Sequence, residues 1–391
     1  MSSLPEPRPA DRLLFVDGLR GIAALAVVAF HSYAYFVPTR VAEYSGPLPY
    51  WLEYIPYHGW LGVEMFFAIS GFVIAYSVRG RRVTPGFFGN FALRRSIRLD
   101  PPYWVVIAAE VLLVFTLGLA WDHNAHAVDF GQIGAHLIYA QEFLGYEHVV
   151  GVFWTLCAEV QLYVAFMVLL GVAQWVVGWR GEPLRGPRLA AFLAVFAPLA
   201  VWSLVLLGGG ATSLVALADR WFYIFLLGAL AAWSHEGLVP RWCFFLYAVP
   251  VGVLLVLGWS PMAFVALATS GLIFLASRLG KLQTWLGFRW VQYLGAISYS
   301  LYLVHLVVGD RVLGYGVDRT GMGPLSVTLW TVAGLASSFL AAHLLHRWVE
   351  VPSVGLSRRL KRAPAPAPVA PPTPACAPAV PVAAVAARSS R

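Results

Sequence analysis

Residues 189–208 read LAAFLAVFAPLAVWSLVLLG, twenty positions without one charge. A helix over that stretch is about 30 Å long at 1.5 Å per residue, the thickness of a bilayer's hydrocarbon core. Comparable apolar blocks recur on both sides of it. The predicted spans are 13–36, 59–78, 101–120, 150–178, 189–208, 212–233, 243–259, 261–279, 293–313 and 326–349. The expected fold is therefore all-α, a polytopic helical membrane protein of about ten transmembrane helices.

Composition agrees with that reading. Of 391 residues, 59% are hydrophobic and 12% charged, against about 45–50% and about 25% in ordinary soluble domains. The mean hydropathy of +0.71 excludes a soluble globular protein. The 16 Trp, 17 Tyr and 24 Phe suffice for interfacial belts and helix packing. The net charge of +8 does not point to nucleic acid, because the arginines sit between spans and form no basic face on a soluble domain. Counted by loop, 21 Lys and Arg fall on one side and 3 on the other, which places both termini in the cytoplasm. The expected location is a bacterial inner membrane.

Three further readings bound the organisation. Residues 1–12 form a cytoplasmic segment, 13–352 the transmembrane core, and 353–391 a Pro/Ala-rich tail expected to be disordered. The first apolar run, with Asp17 and Arg20 inside it, reads as a retained span and not a signal peptide. Cys157, Cys243 and Cys376 give neither a disulfide framework nor a CxxC metal site, and no metal is expected. The outer loop 121–149 has no Lys or Arg, carries four histidines and leaves room for a short interfacial helix.

Ionisable residues inside spans are expensive, so each is a functional candidate. Arg20 and His31 stand eleven residues apart, 20° from three full turns, so they share a helix face about 16 Å apart along its axis. That layout suits a long anionic donor, with its phosphates at Arg20 and its reactive end at His31. The alternatives are snorkelling or an Asp17 pair for Arg20, and polar packing for His31. Glu64 is a lone carboxylate in the second span, and Glu159 lies about 13 Å inside the fourth. Either can orient His31 and raise its basicity. Arg95 and Arg98 form an Arg-x-x-Arg pair suited to phosphate, whereas Arg79, Arg81 and Arg82 read as topology or anionic-lipid contacts. Ser298, Tyr302 and His305 recur on one face of the ninth span, as substrate contacts or as a packing stripe, and Trp154 joins them as a substrate-binding candidate. His343, His346 and Glu350 read mainly as structural. No GxGxxG, Walker A, HExxH or GxSxG sequence sits in a suitable context.

Taken together, these stretches resemble the acyltransferase family 3 integral-membrane O-acyltransferases. The resemblance rests on Phe15–Gly21 with the Arg20-x10-His31 spacing, Gly62–Glu64 to Ser70–Phe72, Arg95-x-x-Arg98, Trp154 to Glu159 and Tyr163, Ser298–Tyr299 to His305, and Trp348–Glu350 with Pro352. It implies transfer of an acyl group, usually acetyl from cytoplasmic acetyl-CoA, to a hydroxyl of a carbohydrate or glycosylated acceptor. The family's essential Arg and His fall on Arg20 and His31, and its Arg-x-x-Arg on Arg95 and Arg98. Where the family often has a second acidic residue after the fourth-span Glu, this chain has Val160. No fused SGNH-type esterase domain is expected from these residues, so a two-step relay would be expected to need a separate partner.

The expected mechanism has Arg95, Arg98 and Arg20 holding CoA phosphates. His31, oriented by Glu64 or Glu159, acts as general base or acyl carrier, and Tyr302 or Ser298 donates to the oxyanion. The expected partners are acyl-CoA, the glycosylated acceptor and membrane lipids, without nucleic acid. The competing reading is a proton-coupled transporter or flippase for a glycan or glycolipid, using Glu64, Glu159 and His31 as a proton path.

Overall fold

A computed structural model describes residues 12–34, 56–121, 128–209, 218–258 and 260–361. The elements are α1 (Leu14–Ala34), α2 (Gly62–Ser77), α3 (Pro85–Trp121), the short α4 (Phe130–Leu137) and α5 (Gln141–Leu144), α6 (Phe153–Val176), α7 (Gly186–Leu207), α8 (Ala218–His235), α9 (Trp242–Gly258), α10 (Pro261–Arg278), α11 (Arg289–Val304), α12 (Arg311–Thr320), α13 (Pro324–Leu345) and α14 (Val351–Lys361). Two π-turns, His305–Asp310 and His346–Glu350, join α11 to α12 and α13 to α14. There is no strand among the described residues.

Eight helical stretches are long and apolar enough to cross a membrane, and the chain is a multi-pass integral membrane protein. The other two expected spans fall on α8 and α9. α9 is apolar but shorter. α8 opens with Asp219 and Arg220, yet every residue from 221 to 234 is buried, as befits a helix apolar on all sides. Leu112, Phe115, Val256 and Leu257 point outward, the surface a lipid solvent accepts.

The helices meet through small residues, which let backbones approach where lipid offers no hydrophobic drive. A Cβ on Gly71 would lie 2.0 Å from the Phe225 carbonyl oxygen, and one on Gly228 would lie 2.0 Å from that of Ala68, so α2 and α8 touch backbone to backbone. α1 and α11 cross in the same way. A Cβ on Gly295 would lie 2.2 Å from the Asp17 carbonyl oxygen, and one on Gly21 would lie 2.6 Å from the Gly295 nitrogen. That crossing sets the helix of Arg20 and His31 directly against the helix of Ser298 and Tyr302.

Two boundaries differ from expectation. The third span was expected to begin at Pro101, but α3 runs unbroken from Pro85 through both prolines. Asp100 is held on each side there, accepting from the Ser96 hydroxyl and, at 2.9 Å, from Tyr139. Arg94, Arg95 and Arg98 are consequently helical and rigidly presented. At the C-terminal end the chain stays helical through Lys361, where the tail had been expected from 353, because α14 packs on α3 and Ser357 donates to the Arg94 carbonyl at 2.7 Å. The remainder of that tail, and residues 1–11, lie outside the described residues.

Candidate active site

A cavity of about 90 Å³ lies among α1, α2, α3, α6 and α11, with room for on the order of six waters or one small charged group. Arg20, Arg95, Arg98, Ser70, Glu159, Ser298, Tyr299 and Tyr302 face it, with Phe66, Phe67 and Thr155 among the remaining walls. Six of the ten site candidates read from the sequence therefore converge on one space.

At the base of the cavity, Glu159 accepts from the Ser70 hydroxyl at 2.5 Å and from the Tyr163 hydroxyl. Arg95 donates to Tyr163, lies 3.7 Å from Glu159, and spreads its guanidinium over the Tyr163 ring at 4.0 Å. The Arg95 Nε–H is buried and has no partner among the described residues. No hydrogen bond or ion pair to a described residue holds Arg20 or Arg98. Arg98 lies within electrostatic reach of both other guanidiniums and of Glu350 and Asp17. Three guanidiniums, one half-buried carboxylate among them and an unsatisfied N–H make a receptor for an anion.

The histidines stand behind one wall of this cavity. The Tyr302 ring meets Phe66 edge-on at 5.6 Å and the His305 ring at 5.7 Å. The Tyr302 hydroxyl lies 2.7 Å from Thr155 Oγ1, and Thr155 in turn donates to the Val152 carbonyl at 2.8 Å. The Val152 carbonyl is 2.8 Å from Thr155 and 3.5 Å from Tyr302, so the shorter contact makes Thr155 the donor to Val152 and Tyr302 the donor to Thr155. Beyond this layer His31 Nδ1 lies 3.2 Å from His305 Nε2 and 2.9 Å from the Val27 carbonyl oxygen.

The profile of the family described as "Acyltransferase domain" matches residues 13–347. This chain belongs to that acyltransferase family. "Acyltransferase MdmB" of Streptomyces mycarofaciens is 27% identical over 93% of this chain and 97% of its own length. "Protein 2 in picA locus" of Rhizobium radiobacter is 31% identical over 35% of this chain and 66% of its own length. "Peptidoglycan O-acetyltransferase OatA" of Listeria monocytogenes is 24% identical over 86% of this chain, which spans 55% of that protein. No solved structure matches.

Several placements in this acyltransferase differ from the expected ones. Neither carboxylate reaches His31, whose ring partners are Val27 and His305. Glu159 is taken up by Ser70, Tyr163 and Arg95 because it offsets a buried guanidinium. Glu64 is 1% exposed and is not among the residues that line the cavity, with its Oε2 unpartnered among the described residues. Trp154 packs on Trp221 at 5.9 Å and does not line the cavity. The oxyanion donors expected in Tyr302 and Ser298 are committed elsewhere, Tyr302 to Thr155 and Ser298 to the Gly295 carbonyl at 2.9 Å.

Three residues of the site were not among the site candidates. Tyr163 and Tyr299 stand in the motifs that carry the resemblance, and Tyr163 also sits four residues after Glu159 on the same helix face. The contacts of Thr155 and Tyr299 depend on the facing helices: Tyr299 donates to the Leu99 carbonyl at 2.7 Å and pins α11 to α3 beside Arg98. Glu350, read as structural, is 5% exposed and accepts from Ser300 at 2.6 Å and His346 at 2.9 Å.

Proposed function

We propose that this acyltransferase moves an acetyl group from acetyl-CoA to a hydroxyl of a carbohydrate or glycosylated acceptor, with His31 as the general base. The observation that carries the proposal is the cavity with Arg20, Arg95 and Arg98 on its walls and the Arg95 Nε–H unsatisfied, a donor set that suits the phosphates of CoA. Its place on the face that holds most of the positive loops fits a cytoplasmic donor and a bacterial inner membrane. The printed name of one relative, a peptidoglycan O-acetyltransferase, supports a cell-surface glycan as acceptor.

In the proposed reaction the acceptor O–H gives its proton to His31 Nε2 as its oxygen attacks the thioester carbonyl. The new C–O bond forms, the C–S bond breaks, and the departing CoA thiolate takes the proton back from the imidazolium. Arg95, held by Tyr163 and Glu159, and the unpaired Arg20 and Arg98 bind and orient the donor.

The test is titration calorimetry of acetyl-CoA and desulfo-CoA against the detergent-purified protein and an Arg95→Ala/Arg98→Ala variant. Saturable binding lost in the variant is expected. Equal affinity in the two proteins, or His31→Ala vesicles that transfer acetyl at the parent rate, would overturn the assignment.

A further inference from the structure

His31 Nδ1 faces two acceptors, a backbone carbonyl and a second histidine. His31 Nδ1 faces the Val27 carbonyl oxygen at 2.9 Å, and His305 Nδ1 faces the carbonyl oxygens of Tyr302 at 2.7 Å and Leu301 at 3.3 Å. A carbonyl oxygen only accepts, so each ring carries its hydrogen on Nδ1. His305 Nε2 is then a bare lone pair, and the 3.2 Å contact between the rings is a bond donated by His31 Nδ1–H and shared with Val27. The opposite assignment would turn lone pairs against two carbonyls at once. What remains is His31 Nε2, with its lone pair uncommitted.

We propose that His305 is a positioning residue that accepts from His31 Nδ1–H and so, together with the Val27 carbonyl, holds His31 in the tautomer and orientation in which Nε2 is the base. The inference rests on His31 being the base, as assigned above. His305 is built for the task. It is 2% exposed, and its ring lies 5.0 Å from that of His31, centroid to centroid. It opens the π-turn His305–Asp310, a break in the i→i−4 ladder of the kind that recurs at functional sites. The far end of that turn is tied down by Arg311, which donates to both oxygens of Glu110 at 2.8 and 2.6 Å. A metal-bound or catalytic imidazole is commonly oriented through its second nitrogen by a carboxylate or carbonyl. Here a neutral imidazole nitrogen supplies the acceptor, and the two nearby carboxylates do not.

Two substitutions separate the two nitrogens of His305. His305→Gln keeps an acceptor where Nε2 stands and loses the Nδ1 donor; His305→Asn keeps a donor toward the Tyr302 carbonyl and loses the acceptor. The first readout is nitrogen NMR of ring-labelled protein in micelles. His31 is expected as the Nδ1–H tautomer in the parent and in His305→Gln, and with a larger share of the Nε2–H form in His305→Asn, where Val27 is left without the second acceptor. The second is transfer from radiolabelled acetyl-CoA in membrane vesicles. His305→Asn is expected to lower the saturated rate about 30-fold, within the roughly 10- to 100-fold typical of lost orienting partners. Its KM for acetyl-CoA should stay within about twofold, and His305→Gln should keep most of the rate. Equal rates in Asn and Gln variants, a loss confined to KM, or an Nε2–H tautomer in the parent would each overturn the proposal. If His31→Ala proves active, the base assignment falls, but the NMR comparison still decides whether His305 sets the tautomer.

Discussion

Replacing Gly295 with alanine tests whether the crossing of α1 and α11 sets the catalytic geometry. The added Cβ would stand 2.2 Å from the Asp17 carbonyl oxygen, where ordinary contact begins at 3.4 Å. Both groups are anchored in helical backbone, so the helices must part by about 1.2 Å at that point. Arg20 and His31 travel with α1, while Ser298 and Tyr302 stay with α11. The His31–His305 contact of 3.2 Å then stretches beyond hydrogen-bond range. A displacement of about 1 Å from a distant change can reduce a rate about 100-fold, whereas overpacking costs about 1–3 kcal/mol of stability. Gly295→Ala is therefore expected to remain folded in detergent and to lose about two orders of magnitude in acetyl transfer. Gly271 on α10 is the control, since a Cβ there meets nothing within 4 Å and alanine is the better helix former. Parent-level transfer by Gly295→Ala, or an equal loss in Gly271→Ala, would refute the argument that this crossing positions the site.

Three other outcomes follow from particular contacts. Arg311→Met strands the buried Glu110 carboxylate and should destabilise the protein by about 3 kcal/mol, read by thermal unfolding in detergent; an unchanged transition would mean the pair contributes nothing. Tyr302→Phe removes one hydroxyl without orphaning Thr155, which still donates to Val152, so about 1 kcal/mol of stability should be lost; a loss as large as that of Arg311→Met would contradict that accounting. The third concerns pH. His136 in α4 is fully buried, donates from Nδ1 to the Gln132 carbonyl at 2.8 Å and accepts from the Val149 amide at 3.1 Å, and burial lowers its pKa below 6.5. The unfolded segment binds the proton first, so the stabilisation is complete above about pH 6.5 and declines as pH falls from there toward the lower folded-state value. The protection factor at Val149, its exchange rate corrected for the intrinsic rate's own rise with pH, should fall below pH 6.5 and stay constant above it; a protection factor independent of pH from 5 to 8 would count against the assigned tautomer.

The helices were legible because each span must satisfy its backbone internally and present apolar surface to lipid, so hydropathy alone marks it. The arginine end of the site was legible for two reasons: Arg20 is too expensive inside a span to be incidental, and Arg95 and Arg98 stand out by their Arg-x-x-Arg spacing just before the next span; the three do meet at one cavity. Partner choice was not legible. Glu64 and Glu159 look alike in sequence as lone carboxylates, and only the packing of α2 and the reach of Tyr163 decide that one does not line the cavity and the other offsets Arg95. The His31–His305 contact joins residues 274 positions apart and depends on a π-turn that no local pattern announces.

The separation of the arginine cavity from the histidine pair constrains how a donor can be used. In this state the cavity of about 90 Å³ takes a phosphate-sized group, and its outer wall is closed by Tyr302 hydrogen-bonded to Thr155 and braced by Phe66. On the proposed function, a pantetheine arm bound by its phosphates at Arg20, Arg95 and Arg98 would reach His31 only if Tyr302 left Thr155, and that movement would free the Tyr302 hydroxyl hydrogen as an oxyanion donor. Donor binding and donor activation would then be separable. Arg95 and Arg98 variants should lose affinity for desulfo-CoA and acetyl-CoA alike. Tyr302 variants should keep both affinities and lose transfer, because the bond they alter lies between the anion site and the base.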